Sequence, residues 1–138
     1  MAIVCKTNWT VDKSLEIADM NRIESNISQI RANLQSIGFI VTLEQVKTDW
    51  GITNLGKITD FNRIKRNINM LRADFYVFPN TPILTVNSGD EQTHDWKIQN
   101  IMETILYDIN RSYITWLMTQ ASMQLYAGNF YCGEEVIL

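Results

Sequence analysis

The chain has 138 residues and a mass of 16.0 kDa, which fits a single domain of ordinary size spanning 1–138. Hydrophobic residues make up 46% and charged residues 20%, so the chain can bury a core and is unlike a disordered tail. The net charge of −3 argues against a protein whose main task is binding nucleic acid or an anionic membrane surface. Because the sequence has no run of 18 apolar residues and no signal-peptide pattern, it predicts synthesis in the cytoplasm and no membrane partner.

An internal repeat organises the first part of the chain. When the sequence is shifted by 41 residues, 12 of the 29 positions from 6 to 34 are identical, where unrelated sequences give about two. Two copies are too few for a solenoid, so we expect a compact pair of equivalent units, about 6–46 and 47–86, with the rest of the chain in 87–138. The pairs that anchor the repeat are Trp9 and Trp50, Asp19 and Asp60, Asn21 and Asn62, Arg22 and Arg63, and Asn26 and Asn67.

Each unit is predicted to contain an amphipathic helix of about 17–20 residues, since its apolar residues recur at intervals of three and four. Asp19 and Asp60 stand where an acid favours a helix start, and Gly38 can end the first helix in the left-handed conformation. Glu24 and Lys65 are predicted to face solvent beside the apolar stripes. The stripes are Ile23, Ile27, Ile30, Leu34 and Ile37 in the first unit, and Ile64, Ile68, Leu71 and Phe75 in the second.

A third helix is predicted from about Ser88 to Arg111, because Ser88 and Glu91 have capping-box spacing and an apolar stripe follows. The segment Phe39 to Leu43 has the composition of a short strand. The positions of Asn26 and Asn67 beside the apolar stripes suggest asparagines that fix the register between helices.

The C-terminal part favours a β-hairpin, because Met123–Tyr126 and Phe130–Cys132 flank a connection that contains Gly and Asn. A third helix that continues through Trp116 to Leu125 fits as well. The predicted fold is therefore mainly α: a three-helix antiparallel bundle with two pseudo-equivalent helices, short strands and a C-terminal β-hairpin.

No catalytic set can be assembled from the sequence, and we predict a protein that is not an enzyme and has no cofactor. Four ligand-type side chains lie close together after the second unit, but helix-capping acids beside a single histidine explain them better than a metal site. They are Asp90, Glu91, His94 and Asp95.

The second helix carries basic residues that favour a solvated face or an acidic protein partner over nucleic acid, because no aromatic platform accompanies them. These residues are Lys57, Arg63, Lys65, Arg66 and Arg72. Trp9 and Trp50 precede the two helices at equivalent positions. They are predicted to anchor the preceding chain, with a cation–π contact to Arg22 and Arg63, or else to stack on a sugar.

The order of these motifs resembles a protein family. A tryptophan followed by D-x-N-R-I-x-x-N-I, present twice, and the C-terminal G-x-F-Y-x-G-E at 128–134 resemble small tail or minor structural proteins of phages and prophages from low-G+C bacteria. The resemblance covers about 6–75 and 122–135. It fails at the third segment, where Asp95-Trp96-Lys97-Ile98-Gln99 replaces the D-x-N-x-I-E that the family pattern leads us to expect.

The resemblance implies a non-enzymatic virion protein of the tail that joins other virion proteins as a homo-oligomer, and it transfers no catalytic residue. One alternative is a carbohydrate-binding module of a tail or cell-surface protein, which exposed tryptophans would distinguish. Another is a small bacterial enzyme with an unrecognised site. The partner interface is predicted at Phe130, Val136, Ile137 and Leu138, although the last three residues could instead fold back onto the hairpin.

Overall fold

The computed structural model describes residues 3–52, 58–85 and 95–133, with side-chain surroundings as far as Met123. Three α-helices make up most of these residues: α1 (Ile17–Ser36), α2 (Ile58–Ala73) and α3 (Trp96–Gly133). Each helix contacts the other two, and no strand is present within the described ranges. The prediction of a mainly helical bundle is therefore confirmed.

The apolar stripes of the three helices meet in one core, as the periodicity predicts. The aliphatic side chains at the centre of each stripe are almost completely shielded from solvent, whereas Ile37 is only partly buried at the end of α1. Burial of this kind supplies the main favourable free energy of folding. The most buried members are Ile23, Ile27, Ile30 and Leu34 of α1, Ile64, Ile68 and Leu71 of α2, and Met102, Ile105, Leu106 and Ile109 of α3.

The three helices run parallel, so the predicted antiparallel arrangement is wrong. Near their N-terminal ends, Glu24 of α1 contacts Arg63 of α2. Near their C-terminal ends, the ring of Phe39 lies 5.0 Å from that of Phe75, just after α2, and 6.5 Å from that of Trp116 in α3. Antiparallel neighbours are joined by short loops, whereas about twenty residues separate each helix from the next here, which is enough to return along the bundle.

The segments that precede the helices occupy the grooves between them. The first leading segment (3–16) lies between α1 and α3, and the second leading segment (37–52) lies between α1 and α2. The strand predicted at Phe39 to Leu43 is absent, because the backbone just after it, at Glu44, exchanges hydrogen bonds with the side chain of Asn67 rather than with another strand.

The ends of α1 follow the sequence signals closely. The Asp19 carboxylate accepts a hydrogen bond from the Glu16 backbone N–H at 2.9 Å, as expected of an acid in the first turn. Gly38 has a φ of 95°, and the Phe39 N–H donates to the Leu34 carbonyl at 3.0 Å, which completes a glycine-ended helix terminus.

Helix α3 begins later and ends later than predicted. Asp95 caps it by accepting a hydrogen bond from the Ile98 N–H at 2.9 Å, while the predicted start at Ser88 lies outside the described residues. Its backbone is helical to Gly133. The hairpin predicted for this part of the chain stays a prediction. The side chains from 124 onward lie outside the described part, as do residues 134–138.

Replacement of a central core residue should destabilise the protein strongly. Ile27 and Ile68 are both 0% exposed, so we expect Ile27→Ala and Ile68→Ala each to lower the free energy of unfolding by about 2–5 kcal/mol. The matched control is Ile40→Ala, because Ile40 is 84% exposed and its truncation removes almost no packing. Urea denaturation followed by circular dichroism measures all three. Equal, small losses for buried and exposed positions would contradict the assignment of the core.

Candidate functional site

Two buried glutamates are the most unusual feature of the interior. Glu24 on α1 and Glu103 on α3 are both 0% exposed, although the sequence placed Glu24 on the outer face of its helix. A carboxylate that leaves water needs charge and hydrogen bonds in compensation. Each glutamate receives them from a leading segment and from an arginine on a neighbouring helix.

The first site is the Glu103 cluster, which consists of Glu103, Lys6, Trp9, Arg22 and Gln99. Oε1 of Glu103 accepts the Lys6 backbone N–H at 2.8 Å and also bonds Nη1 of Arg22. Oε2 accepts the Trp9 indole N–H at 2.6 Å, Arg22 Nη2 at 3.1 Å and Gln99 Nε2 at 3.0 Å. The cluster therefore ties the first leading segment, α1 and α3 together.

The second site is the Glu24 cluster, which consists of Glu24, Lys47, Trp50 and Arg63. Oε1 of Glu24 accepts the Lys47 backbone N–H at 2.9 Å and Arg63 Nη1 at 2.7 Å. Oε2 accepts Arg63 Nη2 at 3.0 Å and the Trp50 indole N–H. All of the residues that contact Glu24 are the 41-residue counterparts of those in the Glu103 cluster, so the repeat has the same structural role in both units.

Asparagines fix the backbone of both leading segments. Asn100 accepts the Trp9 N–H at 2.8 Å and donates to the Trp9 carbonyl at 2.9 Å, and Asn21 does the same for Trp50 at 2.8 and 3.2 Å. Asn26 donates to the Val4 carbonyl at 2.7 Å, and Asn67 has the corresponding role at Glu44. The predicted role of Asn26 and Asn67 in helix register is therefore wrong, because they bind leading segments instead.

The buried glutamates raise the pKa values of the two arginines that bind them. Burial by itself lowers the pKa of Arg22, but hydrogen bonds and attraction from Glu103 and Asp19 outweigh it and leave the pKa raised. The hydrogen bond with Glu24 likewise raises the pKa of Arg63. Both guanidinium groups therefore stay charged.

The cations over the tryptophan rings are lysines. Lys6 Nζ lies 5.6 Å from the ring centroid of Trp9, and Lys47 Nζ lies 5.2 Å from that of Trp50. Arg22 and Arg63 were predicted to form these cation–π contacts. Their guanidinium groups bind carboxylates instead.

The structure also relates α3 to α1. A shift of 79 residues aligns Asn21 and Glu24 with Asn100 and Glu103, and the two pairs have the same roles at the two sites. The shared N-x-x-E spacing beside an apolar stripe is the sequence signal that relates the two glutamates. A repeat search at a single shift misses it, because the third unit is offset by 38 residues from the second rather than by 41.

The third groove, between α2 and α3, has neither the buried glutamate nor the arginine of such a site. On α2 the residue equivalent to Glu24 is Lys65, which is 1% exposed and whose pKa is lowered by burial, against a smaller opposing effect of Asp95. On α3 the residues equivalent to Arg22 and Asn26 are Ile101 and Ile105. The clusters therefore occur twice within the described residues.

One residue of the same site is kept on α2. Asn62 is the counterpart of Asn21 and is 8% exposed, but its buried Oδ1 has no hydrogen-bond partner among the described residues. Asp60 lies in the first turn of α2, as predicted.

The basic residues of α2 do not form a free positive face, contrary to the prediction. Arg63 binds Glu24, and Arg66 binds the carboxylate of Glu44 at 2.6 and 3.0 Å. Arg72 donates to the backbone carbonyl of Thr81 at 3.2 Å and to that of Pro82. Lys65 is buried, as described above, and Lys57 lies outside the described residues.

Several predicted residues lie outside the part of the chain that can be examined. The proposed interface residues Val136, Ile137 and Leu138 are undescribed, as is the side chain of Phe130. Of the four ligand-type residues after the second unit, only Asp95 is described, and it caps α3. Across 3–52, 58–85 and 95–133, no three His, Cys, Asp or Glu residues are placed to bind a metal ion. No helix in these same ranges is long and apolar enough to span a bilayer.

Comparisons of the chain with protein-family models, with curated proteins and with solved structures gave no significant match.

The repeated residues build the fold. Trp9 and Trp50 are 4% and 7% exposed, and each indole N–H is bound to a carboxylate, so neither ring presents an open face for stacking. The arrangement holds each leading segment in its groove, which is a mechanical role rather than a chemical one.

Removing the charge of a buried glutamate should destabilise the protein far more than removing an exposed one. We expect Glu103→Gln to lower the free energy of unfolding by about 3–5 kcal/mol, because Arg22 loses the charge of the fully buried Glu103 and keeps only its longer pair with Asp19 at 3.3 Å. Glu44→Gln is the control, since Glu44 pairs with Arg66 at the surface, and it should cost about 0–1 kcal/mol. Urea denaturation measures both.

A double variant tests whether the Glu103 pair acts as a unit. Glu103→Gln combined with Arg22→Met should cost less than the sum of the two single changes, because no unpaired charge is left. Additive losses would contradict a direct pair.

Cys5 should make stability fall at high pH. Burial, and then the negative charge of Glu103, raises the pKa of its thiol from 9.0 to about 12. The unfolded chain therefore loses this proton above about pH 9, while the folded chain keeps it until about pH 12, so the free energy of unfolding falls across this window. Cys5→Ala should remove this part of the pH dependence. Denaturation of both forms between pH 8 and 11 measures the difference, and identical pH profiles would contradict the prediction.

Proposed function

We propose that this chain is a non-enzymatic structural protein of a phage or prophage tail, which joins other virion proteins and functions as a homo-oligomer. The proposal combines the resemblance to tail and minor structural proteins with one structural observation. The D-x-N-R-I-x-x-N-I residues that carry the resemblance are used internally, in the Glu24 and Glu103 clusters and at the helix starts.

This use of the motif supports an architectural role. Arg22 and Arg63 bind buried carboxylates, while Asn26 and Asn67 bind backbone groups of the leading segments. A motif whose arginines and second asparagines bind groups of the same chain defines a shape rather than a reaction centre. A protein that assembles with others needs such a fixed shape, because its contacts depend on a rigid surface.

The same observation weighs against the carbohydrate-binding alternative. Sugar recognition by stacking needs an exposed aromatic face, and the rings of Trp9 and Trp50 are enclosed by lysine and glutamate side chains. A module of that kind would therefore need other aromatic residues. The alternative of a small enzyme has no described residue in its favour.

Mass spectrometry of purified particles tests the proposal. Phage particles from the source bacterium, purified by density-gradient centrifugation, should contain peptides of this chain in a constant ratio to the other tail proteins. Deletion of the gene should reduce the number of complete tails, and the wild-type gene should restore it. Complete, infectious particles without the chain would contradict the proposal. The Glu44→Gln variant, which we expect to retain the fold, is the control for complementation.

A further inference from the structure

The three helices contact one another in pairs, and the three edges of the bundle are not held equally. The α1–α2 edge contains the pair of Glu24 and Arg63, whose Oε1 and Nη1 atoms lie 2.7 Å apart. The α1–α3 edge contains the pair of Glu103 and Arg22, whose Oε2 and Nη2 atoms lie 3.1 Å apart. Among the described residues, no ion pair joins α2 to α3. The third edge therefore lacks the charge pair that holds the other two.

The C-terminal half of the α2–α3 groove is held by another part of the chain. The described part of the third leading segment, 77–85, lies in this half. The Thr81 hydroxyl donates to Asp108 of α3 at 2.6 Å, and Asn69 of α2 donates to the Leu84 carbonyl at 3.1 Å. These hydrogen bonds bridge the two helices over this half of the groove.

Lys65 lies in the N-terminal half of the same groove without a counter-charge. The residue is 1% exposed, and it has no ion pair or hydrogen bond with the described residues. By the correspondence described above, α3 places Ile101 and Ile105 on the side of the groove where α1 places Arg22 and Asn26. An ammonium group that leaves water without a counter-charge raises the free energy of the closed groove.

Asp95 does not supply the missing charge. Its attraction raises the pKa of Lys65 less than burial lowers it, so the pKa stays below that of an ordinary lysine. The Asp95 carboxylate instead accepts the Ile98 backbone N–H at 2.9 Å and caps α3. The buried amine therefore remains without full compensation.

A second unpaired group lies one turn before Lys65. Asn62 is 8% exposed, and its Oδ1 atom has no hydrogen-bond partner among the described residues. Its counterparts Asn21 and Asn100 each accept a backbone N–H at 2.8 Å. A buried polar atom without a partner destabilises the state that buries it. Both Lys65 and Asn62 regain hydrogen bonds with water when this half of the groove opens.

We propose that the bundle opens along the N-terminal half of the α2–α3 groove, while the Glu24 and Glu103 clusters stay closed. Opening at this edge hydrates Lys65 and Asn62, whereas opening at either other edge would separate a buried glutamate from its arginine. Helix α1 keeps its contacts with both neighbours, and the hydrogen bonds of 77–85 limit the opening to one half of the groove. The open form is a minor state, because it also exposes apolar core residues such as Ile105.

This opening is a property of the isolated chain and does not depend on the proposed role in a phage tail. Absence of the chain from virions would leave the opening untouched, and a permanently closed groove would leave the tail role untouched. The two proposals therefore fail separately.

Acetylation of the lysines in the full chain tests the opening. Sulfo-N-hydroxysuccinimide acetate modifies the exposed amine of Lys97 directly, whereas the amine of Lys65 reacts only from an open state. Peptide mass spectrometry measures both rates at several urea concentrations below the unfolding transition. We expect Lys65 to react at least about tenfold faster than global unfolding allows, with a weak dependence on urea, because a local opening exposes little surface. A rate and a urea dependence equal to those of global unfolding would overturn the proposal.

A carboxylate placed across the groove should keep it closed. Ile101→Glu puts an acid opposite Lys65, and it should slow the acetylation of Lys65 at least about tenfold, because opening then also breaks an ion pair. Ile40→Glu is the matched control, since Ile40 is 84% exposed, and it should leave the rate unchanged. Circular dichroism verifies that both variants are helical. Equal Lys65 rates in the two variants would contradict the proposed edge.

Lys65→Met provides a second readout that needs neither acetylation nor a new ion pair. It removes the unpaired amine and keeps most of the side-chain volume, so the equilibrium constant for unfolding should fall about tenfold and the urea midpoint should rise. Lys97→Met changes an exposed lysine and should leave the midpoint unchanged. A midpoint for Lys65→Met at or below that of the wild type would mean that the amine does not destabilise the closed groove, and it would overturn the proposal.

Discussion

The bundle depends on two carboxylates that are buried between helices. A buried charge is tolerated only when every one of its hydrogen-bonding positions is occupied, and Glu24 and Glu103 each receive an arginine, an indole N–H and a backbone N–H. The backbone and indole donors come from a leading segment, and the arginine comes from the helix that this segment precedes in the chain. Satisfying each glutamate therefore fixes the leading segment in its groove and brings two helix N-termini to one level, which requires parallel helices.

The third groove illustrates how strongly the parts of such a site depend on one another. Loss of the glutamate alone would remove the main counter-charge of a partly buried arginine, and loss of the arginine alone would leave a fully buried carboxylate without its cation. In the groove between α2 and α3, Lys65 stands in place of the glutamate and Ile101 in place of the arginine. This groove therefore has neither the carboxylate nor the guanidinium group of the other two sites. Asn62 retains the identity of its counterparts but has a buried oxygen that forms no hydrogen bond within the described chain.

The two ends of the helix bundle differ in polarity. Around the helix N-termini, polar residues are paired within the chain and define a rigid unit. Beyond Trp116, the uncharged end of α3 exposes Leu117, Met118 and Met123.

The sequence by itself determined the apolar stripes, the duplicated unit and the helix end at Gly38, because each depends on local spacing or on a single backbone conformation. Only the tertiary structure decided that the helices are parallel and that Glu24 lies inside. A charged residue beside an apolar stripe is expected in solvent, and its burial depends on partners that are distant in the chain: Arg63 follows Glu24 by 39 residues, and Glu103 follows Arg22 by 81. Local patterns cannot report such a pairing, since its free energy arises only when two helices and a leading segment enclose the same carboxylate.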